Sequence, residues 1–349
     1  MSELHKFLFD GLPVRGVIVR LTDAWTEILS RRAGHQAPGD SAGDADAGAN
    51  ADADAAAAAP AAGAWPDPVV ELLGEMTAAA ALMQANIKFN GALTLQIFGD
   101  GPVKVAVAEA QHDMSLRATA KVMGEVPPRG GLAELVNLGN KGRCAITLDP
   151  KDRFPGQQPY QGVVPLHGDR REKLSRLSEV LEHYMLQSEQ LDTTLVLAAD
   201  GKVAAGLLIQ RLPLEGAANL TQQERSRANE DQIGRDEDYR RIAILAGSLT
   251  REELLGLDVD TILRRLFWEE KVLRFEPQTP RFACTCSRER VAGMIRSLGR
   301  EEADGIVAER GEIEVGCDFC GQQYRFDAVD TARLFTAPGD QPPVTTAVQ

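Results

Sequence analysis

The sequence has no basic stripe, no long apolar run and no cluster of histidines. Its formal charge is −13 over 349 residues. Nothing gathers lysine and arginine in the way needed to displace counterions from phosphates, which argues against a nucleic-acid role. No stretch approaches about 18 apolar residues, so no membrane span is expected. The opening Met1-Ser2-Glu3-Leu4-His5-Lys6 lacks a basic n-region and an apolar h-region; no secretory signal is expected, and the chain is read as cytoplasmic. The histidines (His5, His35, His112, His167, His183) are scattered, with no H-E-x-x-H among them. Cysteine is scarce, at five residues. What is present is globular in composition, 44% hydrophobic and 26% charged, in a chain long enough for two or three domains.

Four of the five cysteines sit together near the C-terminal end, as Cys284-Thr285-Cys286 and, thirty residues on, Cys317-Asp318-Phe319-Cys320. Each pair can place two sulfurs on one ion. Four thiolates without a nearby histidine suit one tetrahedral Zn2+, with Zn–S near about 2.3 Å and no open position for a substrate. In a cytosolic chain such cysteines are metal-bound or redox-active rather than structural disulfides. The fifth, Cys144, lies in Arg143-Cys144-Ala145-Ile146-Thr147-Leu148, a strand pattern that gives it a plain core role.

Along the chain, residues 14–22 read as a strand and 24–32 as a helix. The tract Gly34–Ala64 is half alanine, carries five aspartates and has no large apolar residue, so it is expected to be a disordered insert. Its Gly39-Asp40-Ser41-Ala42-Gly43 string has the G-x-S-x-G form, but a strand-turn-helix elbow cannot be built there. Residues 67–86 form an amphipathic helix with a broad apolar face, from Val69 to Met83. A hairpin follows, Leu93–Ile97 and Val103–Val107 about Gly99-Asp100-Gly101, whose glycines lack phosphate-cradle spacing. Strands are expected near 114–123, 143–149 and 160–166, a helix over 169–188, and a second hairpin at Asp200-Gly201. From Glu224 to Arg241 there are six acids and five arginines. Thr250-Arg-Glu-Glu253 reads as a capping box and Asp260 as a helix cap; these amphipathic helices, flanked by charge, are expected to dock weakly. In the cysteine module, Ser287 caps a helix through Leu298, a second helix runs near 301–309, and 312–315 pairs with 323–326 around the metal. The fold class is α+β. The N-terminal mixed sheet and helix domain covers 1–213, with the insert at 34–64. A metastable helical linker covers 214–280, a four-cysteine zinc module 281–336 and a disordered tail 337–349.

Three chemistries fit the four cysteines. A closed thiolate site can be purely structural, since metal binding contributes about 10–16 kcal/mol to a zinc finger; such a module would tether a protein- or nucleic-acid-binding regulator. It can instead be a redox switch: zinc holds the sulfurs as thiolates, oxidants attack thiolates, and each neighbouring pair can close a disulfide and eject the ion. Arg288 and Arg290 then either raise the thiolate fraction or are ordinary solvated residues at a helix start. A thiol oxidoreductase is the third, although C-x-x-C there opens a helix after a strand and here lies between two short strands.

Beyond the residue chemistry, Cys284-Thr-Cys286-Ser-Arg-Glu-Arg290, Gly311-Glu-Ile-Glu-Val315 and Cys317-Asp-Phe-Cys320-Gly321 resemble the bacterial redox-regulated holdases of the 33 kDa chaperonin (heat shock protein 33) family. Val14-Arg-Gly16, Gly99-Asp-Gly-Pro102, Tyr160-Gln-Gly-Val163, Ser188-Glu-Gln190, Gly206-Leu-Leu-Ile-Gln210 and Glu252-Glu-Leu-Leu255 resemble its signatures in order. The resemblance implies an ATP-independent chaperone and not an enzyme. Its reduced form would be a largely inactive monomer with one Zn2+ on Cys284, Cys286, Cys317 and Cys320. Oxidation would form Cys284–Cys286 and Cys317–Cys320, release zinc, unfold the linker and expose apolar surface. The implied partners are unfolded client proteins, a second copy of the chain when oxidised, and ATP-dependent foldases downstream, with no nucleic acid and no membrane. Two departures from the family pattern are the 34–64 insert and Ala205-Gly206 where paired glycines are usual. A third is the charged stretch after Pro213, longer than is usual in the family.

Overall fold

The computed structural model describes residues 1–33, 64–152, 154, 156–212 and 237–336. The expected insert (save Ala64), the start of the linker and the expected tail lie outside the described residues. By its internal contacts the chain divides between Ala283 and Cys284, and each unit is described by itself.

The first unit has two sheets. One has the order β10-β1-β2-β9-β8 and the other β11-β5-β4-β3-β6-β7. The first joins β1 (Glu3–Phe9), β2 (Val14–Leu21), β8 (Thr193–Ala199) and β9 (Ala204–Arg211) to β10 (Val272–Arg274). The second joins β3 (Gly91–Phe98), β4 (Val103–Gln111), β5 (Ser115–Val122), β6 (Arg143–Pro150) and β7 (Tyr160–Pro165) to the two-residue β11 (Arg281–Phe282), which lies parallel to β5. Helix α1 is Asp23–Ala33. Helix α2 (Asp67–Asn86) packs on strands of both sheets. Its sequence led us to expect one broad apolar face; instead it is buried nearly all round, as a helix enclosed between two layers must be. Ala78–Ala81 let the strands come close. Opposite them, Gly206 leaves room that a Cβ would fill, 2.7 Å from Leu82 Cδ1. The close approach thus falls on Gly206, and Ala205 is accommodated beside it.

Most expected strands form, and Cys144 in β6 is fully buried, its thiol pushed up to about 12 by burial. Strand β1 escaped the sequence reading because both faces are covered: Leu4 points into one cluster while Phe7 and Phe9 point into another, so no clean alternation results. The short α3 (Leu132–Val136) was also missed. The helix expected over 169–188 starts later, as α4 (Leu177–Glu189): Arg171 takes a left-handed φ of 62°, and the Glu179 carboxylate accepts from the Ser175 and Arg176 amides at the true N-terminus.

After residue 236 the chain is helical over 237–247 (α5), then α6 (Arg251–Gly256) and α7 (Val259–Phe267). Thr250 and Glu253 form the expected capping box, but α7 is capped by Asp258, whose carboxylate accepts from the Thr261 amide, rather than by Asp260. These helices lie on the first sheet. Ile242, Ala246, Leu249, Leu254, Val259, Ile262, Leu263, Leu266 and Phe267 share one cluster with Phe7, Phe9, Val14, Ile18, Leu207 and Ile209. The docking is therefore an apolar core, more extensive than charge-flanked helices suggest. It is pinned at its rim by Arg20 to the Leu254 and Leu255 carbonyls, by Arg251 to Glu71 and by Lys271 to Asp10. Among the described residues no helix is long and apolar enough to cross a membrane.

Candidate metal centre

The second unit is small. It contains α8 (Arg288–Leu298), α9 (Arg300–Arg310), the antiparallel pair β12 (Ile313–Gly316) and β13 (Gln323–Phe326), and α10 (Ala328–Leu334), which the sequence reading missed. Ser287 caps α8, as expected, and Gly299 ends it. Its core among the described residues comprises five buried side chains: Ala292, Ile295, Ala303, Ile313 and Phe326. So little apolar burial leaves a module of this size in need of a staple.

The hairpin carries Cys317 and Cys320 on its turn. Register from Ile313↔Phe326 to Gly316↔Gln323 places them just beyond the last pair. There the Cys317 amide donates to the Gln322 carbonyl at 3.0 Å and the Gly321 amide to the Cys317 carbonyl at 2.8 Å. Gly321 turns the chain at φ 72°, a left-handed conformation that suits glycine. Amides of Phe319 and Cys320 also point at the Cys317 sulfur, and that of Gln322 at Cys320. Backbone donors aimed at sulfur stabilise a thiolate. Cys284 and Cys286 lie on the irregular segment ahead of α8.

The four sulfur atoms lie within 4.8 Å of one another. Cys284 Sγ is 3.6 Å from Cys317 Sγ, and Cys286 Sγ is 3.3 Å from Cys320 Sγ. A tetrahedron with metal–sulfur bonds of about 2.3 Å has edges of about 3.8 Å, so the quartet suits a single ion at its centre. All four cysteines are free thiols, each half-buried. Burial raises the Cys317 and Cys320 thiols, whereas Cys286 falls below the ordinary range: its own desolvation is outweighed by the Tyr324 hydroxyl and the neighbouring thiols. Four negative sulfurs this close repel one another, and a cation would hold them all deprotonated.

Tyr324 escaped the sequence reading. Its hydroxyl donates to Cys286 Sγ at 3.2 Å from β13. Nothing in the sequence marks it beyond its place four residues after Cys320. Of the two arginines near the first pair, Arg288 is engaged elsewhere: it donates to Asp330 and to the Arg325 carbonyl and lies 4.2 Å over the Phe326 ring. Arg290 donates to Thr285 Oγ1 at 2.8 Å. Both act as struts of the module rather than as partners of sulfur.

The chain thus carries a two-sheet α+β unit and a small module with a four-cysteine candidate metal centre. Residues 47–327 match the family described as Hsp33 protein. The chain is 41% identical over 334 residues to the 33 kDa chaperonin of Chromobacterium violaceum, covering 96% of this chain and 94% of that one. It is 38% identical to the 33 kDa chaperonin of Neisseria meningitidis serogroup A, covering 95% and 90%. Its fold is similar to the crystal structure of the 33 kDa chaperonin of Thermotoga maritima, with a TM-score of 0.66 at 20% identity, covering 95% and 97%. The chain belongs to the Hsp33 family of chaperones.

Proposed function

We propose that this chain is a redox-regulated, ATP-independent holdase whose switch is a zinc ion on Cys284, Cys286, Cys317 and Cys320. The observation that carries this reading is a sulfur quartet within 4.8 Å inside a module with five buried core residues. An all-sulfur tetrahedral donor set favours zinc among common cellular divalent ions. In the reduced chain the metal supplies order that the small core cannot.

The oxidation balances on the chain's own sulfurs. One thiolate attacks peroxide and becomes a sulfenic acid, S–OH, while hydroxide leaves. The adjacent thiolate then displaces that oxygen as hydroxide and closes the S–S bond, two electrons passing to the oxidant. The shortest sulfur contacts run across the pairs, between residues 33 and 34 positions apart. Once the ion leaves and the module loosens, short loops keep Cys284 near Cys286 and Cys317 near Cys320, whereas cross-pairs must close long ones. Neighbour disulfides follow.

The linker covers an apolar sheet face that includes Phe7, Phe9, Val14, Ile18, Leu207 and Ile209. Its release would uncover that face and the linker's own apolar side chains at once, giving unfolding clients, and a second copy of the chain, a surface to bind. Clients would later pass to ATP-dependent foldases. The setting is the cytoplasm, and no chemical turnover is involved. The test is an oxidant titration that follows zinc released per chain, free thiols and suppression of client aggregation together. All three are expected to change in step. Zinc held constant under oxidant, or equal suppression by both forms, refutes the switch and favours a constitutive structural module.

A further inference from the structure

Cys286 differs from Cys317 and Cys320 in the group that donates to its sulfur. The donors at Cys317 and Cys320 are backbone amides of their own turn, which no side-chain substitution removes. At Cys286 the donor is a side chain from the other limb of the module, the Tyr324 hydroxyl, 3.2 Å from Sγ. Two features hold that hydroxyl in place. Tyr324 pairs across the hairpin with Val315, shares a strand face with the buried Phe326, and packs against the module's core. Arg288, two residues beyond Cys286, donates to the Arg325 carbonyl at 2.8 Å and lies 4.2 Å over the Phe326 ring. The segment that carries Cys286 is therefore strapped to the strand that carries Tyr324, right beside the contact.

We propose that Tyr324 is a guard on Cys286: its O–H, donated to the sulfur, slows the attack of that sulfur on peroxide and on other electrophiles. In the attack on peroxide a sulfur lone pair forms the S–O bond, the O–O bond breaks and hydroxide leaves, two electrons passing from sulfur to peroxide. A donor on the same sulfur withdraws density from the lone pairs that must attack. The hydrogen bond also weakens along the way, because a neutral sulfenic sulfur is a poorer acceptor than a thiolate. A phenol is protonated at neutral pH, so the donor is in place before any oxidant arrives. Nucleophilicity follows sulfur basicity with a slope of about 0.4–0.5, so each tenfold of basicity that the hydrogen bond removes slows attack about threefold. Hydrogen bonds of this kind, one step out from a metal ligand, tune what the ligand does.

As a control on the switch the guard rests on the redox reading, but its test does not. The full-length, reduced, zinc-loaded chain is treated with iodoacetamide at neutral pH, an electrophile that reads sulfur nucleophilicity without a redox step. Initial rates are resolved sulfur by sulfur by mass spectrometry, with metal content checked beforehand. Tyr324→Phe keeps the ring and its packing and removes only the donor. Its Cys286 is expected to react about threefold faster or more, while Cys317 and Cys320 keep their wild-type rates. Tyr324→3-fluorotyrosine, a stronger donor in the same place, is expected to slow Cys286 below wild type. An unchanged or slower Cys286 in Tyr324→Phe overturns the proposal. So does an equal acceleration of all four sulfurs, which marks loosened packing rather than a lost donor. If Tyr324→Phe holds no metal, the 3-fluorotyrosine chain decides alone. Peroxide-driven zinc release from wild type is measured alongside: its absence removes the switch and leaves the alkylation rates to decide the guard.

Discussion

Phe267 closes α7 and is 2% exposed, wedged against Phe9 edge-on at 4.9 Å and against Phe7 at 6.2 Å. Replacing it with alanine removes a ring from the centre of the surface that docks the linker. A buried Phe→Ala change costs about 3–5 kcal/mol, and the lost edge-on contact belongs to that cost. Because Phe267 sits on the linker and its partners sit on β1, the loss falls chiefly on docking rather than on the sheets. At about 1.4 kcal/mol per tenfold, a loss of about 4 kcal/mol raises the undocked population by roughly three powers of ten. The assay is hydrogen exchange over residues 237–283 in the reduced, metal-loaded protein, with amides of α2 as the internal control. Linker protection is expected to collapse while α2 and metal content stay as in wild type. The variant is then expected to suppress client aggregation without oxidant. Unchanged linker protection would refute the claim that this cluster holds the linker. Lost protection without client binding would refute the claim that undocking is the activating event.

Cys317→Ser replaces a thiolate with a hydroxyl that stays protonated, and is expected to abolish stoichiometric metal binding. Protection should fall across 284–336 because five buried residues cannot hold the module, while α2 stays protected; a metal-free module with wild-type protection would contradict this. Glu75 contributes in the opposite direction to a paired carboxylate. Burial, partly countered by Arg251, raises it from the usual 4.5 to about 7, so its cost is absent below pH 4.5, grows as pH rises and is complete above 7. Glu75→Gln is expected to stabilise the first unit at pH 8 by at most about 3 kcal/mol and to leave it unchanged near pH 4.5, measured by denaturant midpoints; a glimpse of solvent at Glu75 makes that figure an upper bound. An equal effect at both pH values would locate the change in packing rather than charge.

The sulfur quartet was legible in the sequence because its chemistry is local: two short cysteine pairs, a serine cap, a glycine stop and an alternating hairpin each act within a few residues. The same holds for the hairpins at Gly99–Gly101 and Asp200-Gly201 and for the capping box at Thr250. Other features depend on what packs against them. Strand β1 carries apolar residues on both faces because one faces α2's side of the sheet and the other the linker, so its pattern matches neither period. Helix α2 reads as one-sided in sequence and is enclosed by two sheets. Acids and arginines dominate the linker's start, yet the nine apolar residues of α5–α7 and their connections meet Phe7 and Phe9 from more than two hundred positions away. No local rule brings His5 to Arg274, 269 positions on, or Tyr324 to Cys286. Cysteine spacing by itself determined where an ion can be held. Only the pairing of distant strands and helices decided which surface the linker covers, since long-range contacts are set by the whole chain's burial and not by its neighbours in sequence.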